Sequence, residues 1–183
     1  MTLMHTPVCD VGSPAPDFNL QGVDGKQWSR NACAGENGLM VMFICNHCPY
    51  VKSIQQRLVE DVAVLKKSGI GVVAIMSNDP NDYPEDSFEN MQEIVKEKHY
   101  NFPYLIDETQ RVAKAYGAIC TPDFFGYNAK LELQYRGRLD ESGMNADVGN
   151  VKRDLVEAML LVAETGKGPI EQVASIGCSI KWK

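Results

Sequence analysis

At 183 residues with 44% hydrophobic side chains, the chain is long enough to bury a sizeable core and short enough to do so as one domain. Its formal charge is -6 and its basic residues are scattered singly apart from the pairs Lys66-Lys67 and Lys152-Arg153, so there is no basic stripe to follow a phosphate backbone, which argues against a nucleic-acid partner. The opening MTLMHTPVCDVG has neither the basic nor the apolar segment of an export signal, and no apolar run approaches the ~18 residues of a membrane span, so a cytoplasmic chain with no membrane partner is expected.

In chain order, residues 14–28 read as two short strands about the turn Asp24-Gly25, a hairpin ahead of the main fold. Residues 39–44 are an unbroken apolar run, as in a strand covered on both faces, and lead directly into Cys45. Val51, Ile54, Leu58, Val62 and Leu65 then recur at helical spacing, and Lys66-Lys67-Ser68-Gly69 supplies a cationic last turn and a glycine stop. A helix is therefore predicted to start at or just inside the CxxC formed by Cys45 and Cys48. Residues 70–76 make a second buried strand, broken by Ser77-Asn78-Asp79-Pro80. Tyr83-Pro84-Glu85-Asp86 has the proline and acids of a helix first turn, with Phe88, Met91, Ile94 and Val95 as the apolar face.

Residues 104–106 form a short strand, and residues 109–116 a short helix ended by Gly117. Residues 123–127 and 131–136, joined at Asn128-Ala129-Lys130, read as an antiparallel pair. Val151, Leu155, Ala158, Met159 and Val162 mark a closing helix stopped by Gly166-Lys167-Gly168-Pro169, and the tail beyond is a short extension. Strands alternating with helices predict an α/β sheet with helices on its faces.

Six cysteines, at positions 9, 33, 45, 48, 120 and 178, would suggest a disulfide framework in a small secreted protein, but a chain with this much core does not need one. Cys45 falls where a buried strand hands over to a helix, and the unpaired N-H groups of a helix start favour a thiolate there. Cys48 is expected on the same helix face, near enough for the two sulfurs to join reversibly. His47 between them adds a cation that favours the Cys45 thiolate and shifts the pair toward the oxidising side. A closed zinc site needs four ligands, and no second CxxC or HxxxH accompanies this one, so no metal is expected.

Gly12-Ser13-Pro14-Ala15-Pro16-Asp17-Phe18-x-Leu20, Asp24-Gly25-Lys26, a hydrophobic strand running into the CxxC, Val112-Ala113-x-x-Tyr116-Gly117, Thr121-Pro122 and Tyr135-Arg136-Gly137 together resemble the thioredoxin-like redoxins. The nearest branches are the cytochrome-c-maturation type of thiol-disulfide oxidoreductase and the alkyl hydroperoxide reductase/thiol-specific antioxidant group. The resemblance spans residues 11 to about 165. It implies a thioredoxin-like α/β fold: a central mixed sheet with helices on both faces, an N-terminal β-hairpin extension and a C-terminal tail. Residues 1–183 then form a single domain with its core at 11–165 and an extension at 166–183.

The resemblance also implies a cis proline, Pro122, facing the CxxC, with Thr121 docking an extended partner. In that scheme Cys45 attacks and Cys48 resolves, His47 tunes the pair, and Asn46, Pro49 and Thr121 meet the substrate. The substrate is a protein or small-molecule thiol or disulfide, a separate reductant or oxidant recycles the pair, and no cofactor is needed. Two departures stand out. Ile44 and Asn46-His47 replace the Trp and Gly-Pro of thioredoxin itself, and neither cysteine is preceded by the P-x-x-x-[T/S]-x-x-C of peroxiredoxins. A thiol peroxidase using Cys45 and a non-enzymatic thiol sensor or metal-binding module stay open as alternatives.

Cys120 and Cys178 are candidate accessory thiols. Strand alternation turns Cys120 away from the CxxC if Thr121 faces it, and Ile180 and Trp182 are anchors by which the tail carrying Cys178 folds back. Cys9 and Cys33 are assigned no chemistry. Glu85, Asp86 and Glu89 are candidate proton acceptors, although solvated helix charges are the expectation for all three. Arg136 and Arg138, alternating on a strand, are likewise expected to face solvent.

Overall fold

Alternate side chains of one apolar strand sort the core into two halves. In the computed structural model, which describes residues 2–145 and 149–183, that strand is β4 (Gly38–Phe43), and all six of its residues are buried. Met40 and Met42 pack on one side, whereas Leu39, Val41 and Phe43 pack on the other, as a period of two requires.

Before β4 come β1 (Leu3–His5), β2 (Asn19–Gly22), β3 (Gln27–Ser29) and the single-turn helix α1 (Arg30–Cys33). After it follow α2 (Pro49–Lys67), β5 (Ile70–Met76), α3 (Phe88–Glu97), β6 (Tyr104–Ile106) and α4 (Arg111–Tyr116). The chain closes with β7 (Cys120–Thr121), β8 (Asp123–Asn128), β9 (Leu133–Gly137), α5 (Asp154–Thr165) and β10 (Ile176–Ser179).

The strands run in the order β3-β2-β6-β5 and β4-β8-β9, and β5 lies beside β4 with Ile44 N donating to Ile75 O at 3.1 Å. β5 and β6 are parallel, whereas β2-β3, β4-β8 and β8-β9 are antiparallel, so the central sheet is mixed. Residues of α2, α3 and α5 pack on the Met40 face; α4 and the Cys33 end of α1 pack on the Phe43 face. This is the thioredoxin-like α/β arrangement expected from the sequence.

Three local differences matter for the site. The long helix begins at Pro49 with Cys48 as its N-cap, so Cys45 lies ahead of the helix and not in its first turn. The acidic stretch after Tyr83 does not open α3; it is a separate 3-10 turn, Pro84–Asp86, because the Ser87 side chain caps α3 by accepting from Asn90 N. The tail also forms a strand, and β1, β10 and β7 make a second small antiparallel sheet.

Relative strengths follow from size. Each fully buried Leu, Ile or Phe of the main core contributes about 1.5–3 kcal/mol. A short strand such as β10 is held mainly by hydrogen bonds worth about 0.5–1.5 kcal/mol each.

Candidate active site

The register of β4 against β8 builds the site. Phe43 pairs with Asp123, so the end of β4 and the start of β8 lie side by side, and two residues beyond this pair come Cys45 on one side and Thr121, followed by Pro122, on the other. The Thr121-Pro122 peptide bond is cis. The Thr121 hydroxyl lies 3.2 Å from Cys45 Sγ, and its carbonyl oxygen lies 3.1 Å from Cys48 Sγ.

The loop between β4 and α2 takes its shape from one carboxylate. Asp86 is fully buried and accepts from Asn46 N at 2.7 Å, His47 N at 3.2 Å, His47 Nδ1 at 2.6 Å and Asn78 Nδ2 at 2.8 Å. Burial opposes its ionisation, but the bonds from His47 and Asn78 outweigh that and hold its carboxyl below the usual range. Asp86 is thus not the solvated charge expected of it, in contrast with the exposed Glu85 and Glu89. His47 also stacks on Tyr83, with ring centroids 4.2 Å apart.

Asn46, expected to meet substrate, is instead buried and fully engaged: its Nδ2 donates to Glu85 O at 2.8 Å and its Oδ1 accepts from Tyr104 Oη at 3.1 Å. Pro49 is exposed at the first position of α2.

All six cysteines are thiols, and those at positions 45, 48 and 178 converge. Cys45 and Cys48 are hydrogen-bonded to each other and Cys48 Sγ lies 2.9 Å from Cys178 Sγ, and both CxxC cysteines are buried. The thiol whose ionisation the surroundings favour is Cys48, and not Cys45 as expected. Burial pushes Cys45 well up, and the bond it gives to Cys48 and the nearby Asp86 carboxylate push the same way. Cys48 comes down to about 5, chiefly because Cys45 donates to it, with further donors at Cys178 and the Val51 backbone outweighing burial. The helix-start argument fails for Cys45 because the N-H groups of α2 lie beyond it, at Cys48, and because Asp86 offsets whatever charge His47 carries. The pair shares one proton, and its two ionisations lie far apart.

Cys45 Sγ, a ring nitrogen of His47 and a carboxylate oxygen of Asp86 lie within 4.8 Å of one another, a donor set that sequence spacing does not reveal. It is one ligand short of a closed zinc site.

The tail covers one edge of the site. β10 pairs with β7 through Cys178↔Thr121 and Ser179↔Cys120, along the edge expected to receive a partner. Cys120 is turned away from the pair, as expected: its thiol donates to Pro122 O at 3.6 Å and is pushed up by burial. Cys33, raised to about 12 by burial, and Cys9 are outside this cluster. Arg136 is buried rather than solvated, with its guanidinium 2.9 Å from Asp123 and over the Phe125 ring at 4.4 Å. Arg138 pairs with Asp154 at 2.6 Å. A cleft of about 370 Å³ opens beside Pro122, lined by Tyr50, Ile54, Phe124 and Ile176 among others.

Residues 11–141 match the AhpC/TSA family. The chain belongs to that family. Among curated proteins, the thiol-disulfide oxidoreductase ResA of Geobacillus thermodenitrificans is similar, 23% identical over 144 residues, 78% of each chain. A conserved protein of uncharacterised role from Geobacillus kaustophilus has a crystal structure with TM-score 0.94 and 43% identity, over 100% of this chain and 97% of that one. The hypothetical protein SMc02350 of Sinorhizobium meliloti gives 0.91 and 38%, over 98% of both. The AhpC/TSA match stops at residue 141, so the tail with Cys178 lies beyond it, whereas the two solved structures extend over that tail.

Proposed function

We propose that the chain is a thiol-disulfide oxidoreductase with Cys45 and Cys48 as its redox pair. The observation that carries this reading is the two hydrogen-bonded cysteines beside Thr121 and its cis bond to Pro122. The name of the ResA relative points the same way.

The pair supplies its own base. As Cys45 Sγ attacks a partner disulfide, its proton passes along the hydrogen bond to the Cys48 thiolate, a mixed disulfide forms, and one partner sulfur leaves as a thiolate. That thiolate takes up the proton from Cys48. Cys48 then attacks Cys45, releasing the second partner sulfur, so two electrons pass from the dithiol to the partner and the Cys45–Cys48 disulfide remains. No carboxylate is required, although Asp86 holds the loop in which both sulfurs sit. A separate dithiol or disulfide resets the pair.

Insulin-disulfide reduction driven by dithiothreitol tests the assignment: Cys45→Ser and Cys48→Ser are each expected to lose at least 100-fold, and a Cys45→Ser chain of full activity would refute the order of attack. A thiol peroxidase using Cys45, and with it an antioxidant role, is the second reading. AhpC/TSA membership and the Thr121 hydroxyl 3.2 Å from Cys45 favour it. Peroxide consumption measured alongside insulin reduction separates the two.

A further inference from the structure

The tail does more than pass near the pair. β10 lies between β1 and β7, with Leu3↔Cys178 on one side and Cys178↔Thr121 on the other. Ser175 Oγ donates to Pro122 O at 2.8 Å, and Lys181 N donates to Asn78 Oδ1 at 2.9 Å, so both ends of the strand are fastened to the walls of the site. At residue 177 the backbones approach so closely that a Cβ would lie 2.2 Å from the Thr121 carbonyl oxygen, and glycine stands there. The tail therefore lies along Thr121 as an extended partner strand would, and it brings its own sulfur to 2.9 Å from Cys48 Sγ.

We propose that Cys178 is a third redox thiol, which displaces Cys45 from the Cys45–Cys48 disulfide and closes a Cys48–Cys178 disulfide in its place. This rests on the reading of Cys45 and Cys48 as the redox pair. Cys178 Sγ attacks Cys48 Sγ, the Cys48–Cys178 bond forms, the Cys45–Cys48 bond breaks, and Cys45 leaves as a thiolate that takes up the proton Cys178 gives up. The step is an isomerisation with no net oxidation, so it requires no further oxidant. In the dithiol state burial raises Cys178 to about 12, and the bond to Cys48 and the Cys48 charge add to the rise. Those last two causes disappear once Cys48 is in a disulfide, which leaves burial as the influence still holding the thiol up and eases its ionisation at the stage where a nucleophile is needed. The product ties β10 to the docking edge by a covalent bond, where otherwise pairing and side-chain hydrogen bonds alone hold it.

The test is a disulfide map of the full chain oxidised with diamide, quenched in acid, alkylated with N-ethylmaleimide and digested with trypsin. The wild-type map decides: the peptide holding Cys48 is expected joined to the peptide holding Cys178, with fragmentation placing the link at Cys48, alongside molecules carrying Cys45–Cys48. A wild-type map with Cys178 alkylated throughout overturns the inference. Cys45→Ser is expected to keep the Cys48–Cys178 link, and Cys178→Ser to keep Cys45–Cys48 alone. If Cys178→Ser forms no Cys45–Cys48 bond and reduces no insulin, the redox-pair reading itself fails.

Discussion

Asp86 Oδ2 accepts from His47 Nδ1 at 2.6 Å, and the other oxygen of the same carboxylate receives the backbone N-H groups of Asn46 and His47. One buried side chain thereby fixes the two residues that separate the cysteines. Asp86→Ala removes the acceptor of four donors in a dry site and is expected to cost about 3–5 kcal/mol, the range for breaking a buried charged pair. Asp86→Asn, which keeps the shape, is expected to cost less and to leave Cys45 easier to ionise, since a negative neighbour is gone. Urea unfolding and the pH profile of Cys45 alkylation measure the two effects separately.

The reduced chain is expected to carry a thiolate that titrates near pH 5 and is absent from Cys48→Ser, read as absorbance at 240 nm. The sign of the linked stability follows. Cys48 is depressed from 9.0 to about 5 by folding, so its stabilisation is complete above pH 9 and is lost as the pH falls through 5. Cys33 and Cys178 are raised to about 12, so they oppose folding only as the pH climbs past 9. Reduced wild type should therefore gain stability relative to Cys48→Ser between pH 5 and 9, while above 9 both chains lose stability through Cys33 and Cys178; a flat difference between pH 5 and 9 would remove the Cys48 assignment.

Thr121→Val removes the hydroxyl 3.2 Å from Cys45 while keeping the carbonyl 3.1 Å from Cys48. That hydroxyl bond lowers Cys45 against the several influences that raise it. Losing it is expected to slow insulin reduction several-fold and to leave the Cys48 titration near pH 5 in place. An equal shift in both thiols would mean that the substitution has moved the loop instead.

What the sequence shows of this molecule is what depends on neighbours along the chain. Residues 70–76 and 104–106 are strands at the predicted bounds, and Gly69 and Gly117 end their helices with positive φ, because periodicity and glycine stops are local signals. The charge on Cys45 was not legible, since it depends on burial and on Asp86, which reaches the loop from across the fold. Arg136 reads as a solvated strand residue only until Asp123 and Phe125 close around it. β10 is four residues long and becomes a strand only because β1 and β7 flank it, so Cys178 could be marked as an accessory thiol but not placed against Cys48.

Gly177→Ala tests whether the tail governs access. The added Cβ would meet the Thr121 carbonyl oxygen at 2.2 Å and the Pro122 nitrogen at 3.0 Å, both rigid backbone atoms, so the variant must lift β10 from β7. The cost should stay near the 1–3 kcal/mol of an overpacked contact, because the main core is not involved. With β10 displaced, both CxxC sulfurs face solvent. Their alkylation by iodoacetamide at pH 7 is then expected to rise at least tenfold over wild type, with faster insulin reduction. A destabilised variant could also expose them by global unfolding, so the same measurement is made on Leu58→Ala, where a buried core side chain 0% exposed is lost and β10 is untouched. If Gly177→Ala and Leu58→Ala raise alkylation only in proportion to their lost stability, the tail is not a lid.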